Sequence, residues 1–156
     1  GAEIVGQSCV NGDASALMRV VLDTNVLVSG LLKPEGNERR VLRLGLSGKR
    51  ITVLLSPAIM REYEAVLPRP RLKLTASEVS QTLDAIRKVA EWVDPDFALR
   101  VTKDEPDNRF LECAVAGQAA YIVTGNARHF PRQYQRIPVV QARRLLELLA
   151  PIGEPG

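Results

Sequence analysis

The chain is poor in the residues on which several function classes depend. Aromatic residues make up only 4% of its 156 positions, too few for the base-stacking platforms of single-strand binders. It has one histidine, His129, and two cysteines, Cys9 and Cys113. A Ser-His-Asp triad or a zinc site therefore has little material. Cys113 lies in the apolar pattern Phe110-Leu111-Glu112-Cys113-Ala114-Val115 and reads as a small buried hydrophobe. Cys9 sits in a polar stretch without an evident partner, so no disulfide framework is expected and a reducing cytoplasm is. No apolar run approaches the roughly 20 residues of a membrane-spanning helix, and no membrane contact is expected. The phosphate-cradling pattern GxxxxGK[ST] is absent.

What is present is the composition of an ordinary globular domain, 46% apolar and 25% charged, long enough to bury a core without staples. The net charge of +3 is mild. It gains meaning only beside an acidic pocket, because a basic exterior around carboxylates suits a phosphate-backbone ligand reached through cations. Residues 1–17 carry little periodicity and lack the features of a signal peptide. They are expected to be an unstructured leader ahead of a natural start at Met18. Residues 18–150 are expected to form one domain and 151–156 a tail.

The most informative segment is Val20-Val21-Leu22-Asp23-Thr24-Asn25-Val26-Leu27. A continuous apolar, β-branched run reads as a strand buried on both faces of a parallel sheet. It stops on an acid, where open α/β sheets bind ligands. A helix over 26–32 follows, Pro34-Glu35-Gly36-Asn37 breaks it, and a second helix runs over 38–46 until Gly48. Ile51 to Leu55 is the next strand. Ser56-Pro57 supplies a cap and a proline at the first helical position, and that helix carries Glu62 until Pro68. Thr75 and Glu78 form a capping box for a long amphipathic helix. The stretch 92–102 is ambiguous, with a strand conceivable at either end. Asp104-Glu105-Pro106-Asp107 opens a helix bearing Phe110, Leu111, Ala114, Val115 and Ala119. Tyr121 to Thr124 is a buried strand, Ile137 to Val140 a short last strand, and 141–149 a last helix. Strands alternate with helices, so the expected fold is a three-layer α/β/α sandwich around a central, mostly parallel sheet.

Three acids fall where such a sheet would gather them. Asp23 ends the first strand, Glu62 lies on the helix after the second, and Asp107 lies in the first turn of its helix. Each has a plain alternative: Glu62 could be a solvated helix acid, and Asp107 an acid favoured by the helix dipole alone. Asp104 reads as the cap or turn residue and Glu112 as a flanking acid. Asn126 ends the Tyr121 strand and could orient a water, although Gly-Asn is also ordinary turn chemistry. Carboxylates with an amide make a hard, oxygen-rich set that suits Mg²⁺ or Mn²⁺, ions that assist phosphodiester displacement.

These segments resemble a PIN (PilT N-terminus) domain. The resemblance rests on Val21-Leu22-Asp23-Thr24-Asn25, Ser56-Pro57 with Glu62, Asp107-Asn108-Arg109-Phe110-Leu111-Glu112-Cys113-Ala114, and Tyr121-Ile122-Val123-Thr124-Gly125-Asn126, and it spans roughly 18–150. It implies a metal-dependent ribonuclease, the toxin of a toxin–antitoxin pair, with Asp23, Glu62 and Asp107 holding Mg²⁺ or Mn²⁺. Thr24 and Asn25 match strand-end residues that position the first acid or a water. The fourth family position is usually aspartate and here is Asn126, which removes a charge where a second metal would be held. Arg128, His129 and Arg132 follow it as candidate contacts to RNA phosphates, with Arg69 and Arg71 as further ones. RNA as substrate, a cognate antitoxin and a homodimer are the implied partners. Leu31, Leu32, Val41 and Leu44 are either core or a surface for such partners, and core is favoured. Two other readings remain open: a catalytically weak PIN-fold module that binds RNA or protein, and a phosphatase or receiver-like domain using Asp23. The haloacid dehalogenase pattern needs a second aspartate at position 25, which is Asn25.

Overall fold

The apolar run at the start of the domain becomes the middle of a sheet. In the computed structural model, which describes residues 17–150, Met18–Leu22 form β1, with Val20, Val21 and Leu22 sealed from solvent. Two parallel neighbours flank it, Ile51–Leu55 (β2) and Tyr121–Val123 (β4). Glu91–Trp92 (β3) extends β2 and Ile137–Val140 (β6) extends β4, both in parallel. Gln133–Tyr134 (β5) lies antiparallel to β6 at the edge. The order across the sheet is β3-β2-β1-β4-β6-β5. The leader expected over 1–17 lies, Leu17 apart, outside the described residues, as do Cys9 and the tail 151–156.

The helices are α1 (Thr24–Leu32), α2 (Asn37–Ser47), α3 (Pro57–Val66), α4 (Ala76–Val89), α5 (Glu105–Ala116) and α6 (Ala142–Leu149). Two glycines show how they cover both faces. A Cβ on Gly45, in α2, would come within 2.7 Å of the Val53 side chain, and one on Gly117, just past α5, within 2.9 Å of Leu54. Val53 and Leu54 are consecutive in β2 and so point to opposite faces. Thus α2 and α5 sit on opposite sides, and the fold is the α/β/α sandwich expected, with a mostly parallel sheet.

Local chemistry explains most boundaries. The Ser56 hydroxyl accepts from the Ile59 N–H at 3.1 Å ahead of Pro57. Thr75 and Glu78 exchange both capping-box bonds at 3.0 Å. Each such cap is worth about 1 kcal/mol. Gly48 ends α2 with φ +68°, a left-handed conformation that glycine adopts without penalty.

Three details differ from expectation, and one open stretch resolves. Helix α1 starts at Thr24 rather than Val26, since the Asp23 carbonyl already accepts from Val26 N–H at 2.9 Å. Ala119 lies beyond the end of α5. The ambiguous 92–102 stretch has its strand at the near end, where Glu91–Trp92 pairs with β2 and the Val93 N–H donates to the Leu55 carbonyl at 2.7 Å. At its far end the Val101 and Thr102 N–H groups donate to Asn108 Oδ1 at 3.0 and 2.8 Å, which replaces a ladder. The short β5 has no apolar alternation to announce it. Of the four apolar helix residues, Val41 is core, Leu31 and Leu44 are half-buried, and Leu32 is exposed.

Candidate metal centre

Chain direction across the sheet sets the location. From β1 the chain builds outward to β2 on one side and later to β4 on the other. The switch point is therefore the crevice beyond the carboxyl ends of β1 and β4, the usual ligand position in such sheets. Leu22 and Val123 are paired, so Asp23 and Thr124 emerge side by side.

Their side chains join the two strand ends. Asp23 N–H donates to the Val123 carbonyl at 2.9 Å. Thr124 Oγ1, fully buried, donates to Asp23 Oδ2 at 2.7 Å and accepts from the Asn126 N–H at 2.9 Å. Asn25 Oδ1 accepts from the Gly125 N–H at 2.9 Å. Asp23 occupies the N-cap position of α1 yet makes no side-chain cap bond. Its carboxylate is turned toward the crevice and β4 instead.

Glu62 arrives on α3, which is fastened by its neighbour: the Tyr63 hydroxyl, fully buried, donates to the Leu22 carbonyl at 2.5 Å. Asp107 arrives in the first turn of α5, after Pro106. Asp23, Thr24, Glu62, Asp107 and Asn126 all line one cleft of about 420 Å³, together with Asp104 and His129. Arg69 and Arg71 line it too. Arg128 borders an adjoining cleft that shares Asp104, Asp107 and His129, whereas Arg132 borders neither. Glu112 is buried elsewhere, accepting from the Leu99 N–H at 2.7 Å and paired with Arg109 at 2.8 Å.

The acids crowd one another. Burial pushes the Asp23 carboxyl above the usual range, against the lowering by its bonds to Thr124 and the Thr24 backbone. Burial likewise raises Glu62, which Arg69 partly offsets and the charges of Asp104 and Asp23 reinforce. Asp107 is pushed up to about 7, first by burial and then by the charges of Asp23, Asp104 and Glu62. Asp107 Oδ2 and Thr24 Oγ1 are buried without any hydrogen-bond partner among the described residues, a costly condition unless something else satisfies them. Mutually repelling carboxylates and an orphaned carboxylate oxygen fit a hard divalent cation.

Sequence patterns do not reveal two of the contributors. Thr124 looks like any β-branched strand residue, and only the pairing register shows that it holds Asp23. Asp104 stands at the N-cap of α5 but makes no cap bond, and its exposed carboxylate borders the cleft. An acid-rich turn before a proline is the available signal, and it is equally the signal of a cap.

A family model described as "PIN domain" matches residues 19–128. An uncharacterized protein of Methanocaldococcus jannaschii is 31% identical over 112 residues, covering 70% of this chain and 71% of that protein. Among solved structures, a chain of VapBC2 from Rickettsia felis, crystallised bound to a DNA fragment from their promoter, superposes with a TM-score of 0.53 at 19% identity. The match covers 78% of this chain and 97% of that one. At that identity the likeness concerns the fold.

Proposed function

The chain belongs to the PIN-domain family, and from that premise we propose that it is a metal-dependent endoribonuclease, the toxin of a toxin–antitoxin pair. The observation that carries the reading is Asp107 Oδ2, buried and unpartnered in a cleft that it shares with Asp23 and Glu62. Asp23, Glu62 and Asp107 would hold Mg²⁺ or Mn²⁺. When bound, such an ion supplies charge neutralisation for an incoming phosphodiester and acidity for the attacking water.

The chain's own residues do the positioning. Thr124 fixes the Asp23 carboxylate so that one oxygen stays committed to the β4 side. Thr24 Oγ1, buried without a partner, and the exposed Asn126 amide orient the water. Arg69 and Arg71, which line the cleft, and Arg128, which borders the adjoining one, meet the phosphates flanking the scissile one. The net positive surface favours approach of a polyanion to a cleft whose acids alone would repel it. No described helix is long and apolar enough to cross a membrane, and a cytoplasmic RNA target is part of the proposal. The promoter-bound VapBC2 assembly of the structural neighbour supports a cognate antitoxin as the protein partner. A homodimer, for which Leu32 is the exposed apolar candidate, belongs to the same proposal.

The test is cleavage of a mixed single-stranded RNA pool by metal-free protein. Cleavage should be absent in EDTA and appear with Mg²⁺ or Mn²⁺. Equal cleavage in EDTA would refute the metal dependence. No cleavage under any condition by folded protein would refute the enzyme and leave a PIN-fold binding module.

A further inference from the structure

The only imidazole of the chain points to chemistry other than phosphate contact. We propose that Asp104, Asp107 and His129 form a second divalent-cation position at the mouth of the cleft, joined to the Asp23–Glu62 position by the shared Asp107 carboxylate. This deepens the functional reading above and rests on it.

Two elements bring three side chains together there. Asp104 stands at the N-cap of α5 and Asp107 lies one turn further along, so both project from the same helix end. His129 closes the 3₁₀ turn Ala127–His129 that follows β4, and its N–H is tied to the Asn126 carbonyl at 3.0 Å. The next residue, Phe130, is buried and anchors the turn. One ligand atom from each of Asp104, Asp107 and His129 lies within 4.8 Å of the others. Ligands on opposite sides of an ion with bonds of about 2.1 Å are about 4.2 Å apart. Small rotations of two exposed side chains therefore bring all three onto one ion.

An acidic turn alone would say little, but two further observations point to a ligand. The Asp104 carboxylate makes no cap bond with the helix that it starts. Asp107 Oδ2 is buried without a partner, on a residue only 7% exposed. Asp107 also borders both clefts, the one containing Asp23 and Glu62 and the one running past His129 to Pro131. A carboxylate so placed can offer one oxygen to each side. Asn126, at the end of β4, is neutral, so the anionic charge on this side of the cleft comes from Asp104 and Asp107 rather than from the strand end.

The donor set selects the ion. Two carboxylates and an imidazole nitrogen favour a transition ion such as Mn²⁺ over Mg²⁺, which takes oxygen ligands and keeps its waters. The Asp23–Glu62 side offers oxygen alone and makes no such choice.

Because the chain has one histidine, the test is specific. Tag-free, metal-free full-length protein is dialysed against Mn²⁺, the bound ions are counted, and pulsed electron paramagnetic resonance reads nitrogen coupling to Mn²⁺. Wild type should bind two ions and show imidazole coupling. His129→Ala should bind one and lose the coupling, and Asp23→Asn should keep it. Thermal melts of the metal-free variants confirm that each is folded, which is expected for His129 because its side chain is exposed. One ion without nitrogen coupling in wild type would overturn this position while leaving the metal-dependent nuclease intact. Two ions retained by His129→Ala would overturn it as well. No Mn²⁺ bound by wild type would overturn both readings together.

Discussion

The two walls of the cleft are built by opposite means. On the strand side, Asp23, Thr124, Asn25 and Gly125 are locked together by bonds of 2.7 to 2.9 Å at the ends of two paired strands. On the other side, Asp104 at the start of α5 and His129 in the turn beyond β4 are exposed, and Asp107 carries an oxygen with no partner among the described residues. The first wall is organised before any ligand arrives. The second gathers charge that only a cation can resolve. Rigidity here comes from sheet register, whereas affinity comes from repulsion left standing on α5. Changes to the two walls should therefore fail differently.

The largest difference is expected for Asp107→Asn. It removes a cation ligand and the repulsion together, so RNA cleavage should fall by more than about a hundredfold while the metal-free protein becomes more stable near neutral pH. Chemical denaturation beside a cleavage assay checks both. Loss of stability with loss of activity would mean that Asp107 is structural. Thr124→Val breaks the other wall. Without its hydroxyl the Asp23 carboxylate loses its fixed orientation, and activity or cation affinity should drop about 10–100-fold, the usual cost of losing a group that orients a ligand. Undiminished Mn²⁺ affinity would show that the Thr124 bond does not position Asp23.

A pH series sharpens the contrast without touching the strand ends. The folded Asp107 carboxyl titrates at about 7 against an ordinary 3.8, so between those values the folded state binds more protons than the unfolded one. The stability contributed by this group is full below about pH 4 and is lost as pH rises to about 7. Subtracting the Asp107→Asn curve from that of wild type, both metal-free, should reveal this decline. A flat difference would contradict the crowding of the acids. The smallest effect is expected for Asn25→Ala, which releases the Gly125 N–H to solvent. Melting should report a loss of about 0.5–1.5 kcal/mol, with cleavage changed only a few-fold.

The two walls are also unequally legible in the sequence. The strand side can be read because a sealed apolar run that stops on an acid is the pattern of a buried strand end, and the sheet order then fixes where that acid points. Asp107 is ambiguous, since an acid in a first helical turn is favoured by the dipole whatever its use. Thr124 is invisible, because its role depends on being level with Asp23 across a pairing between residues about a hundred positions apart. His129 draws notice for its place between Arg128 and Arg132, and its proximity to Asp104 and Asp107 exists only in three dimensions. Strand β5 and the Asn108 clamp on Val101 and Thr102 leave no periodic trace at all.

Whether Asp23 carries the chemistry is decided by single-turnover cleavage of a single-stranded RNA pool by wild type and Asp23→Asn in Mn²⁺, with melting curves for both. Asp23→Asn should fold and should not cleave, because the strand-end carboxylate fixed by Thr124 is gone. Undiminished cleavage by folded Asp23→Asn would contradict that role.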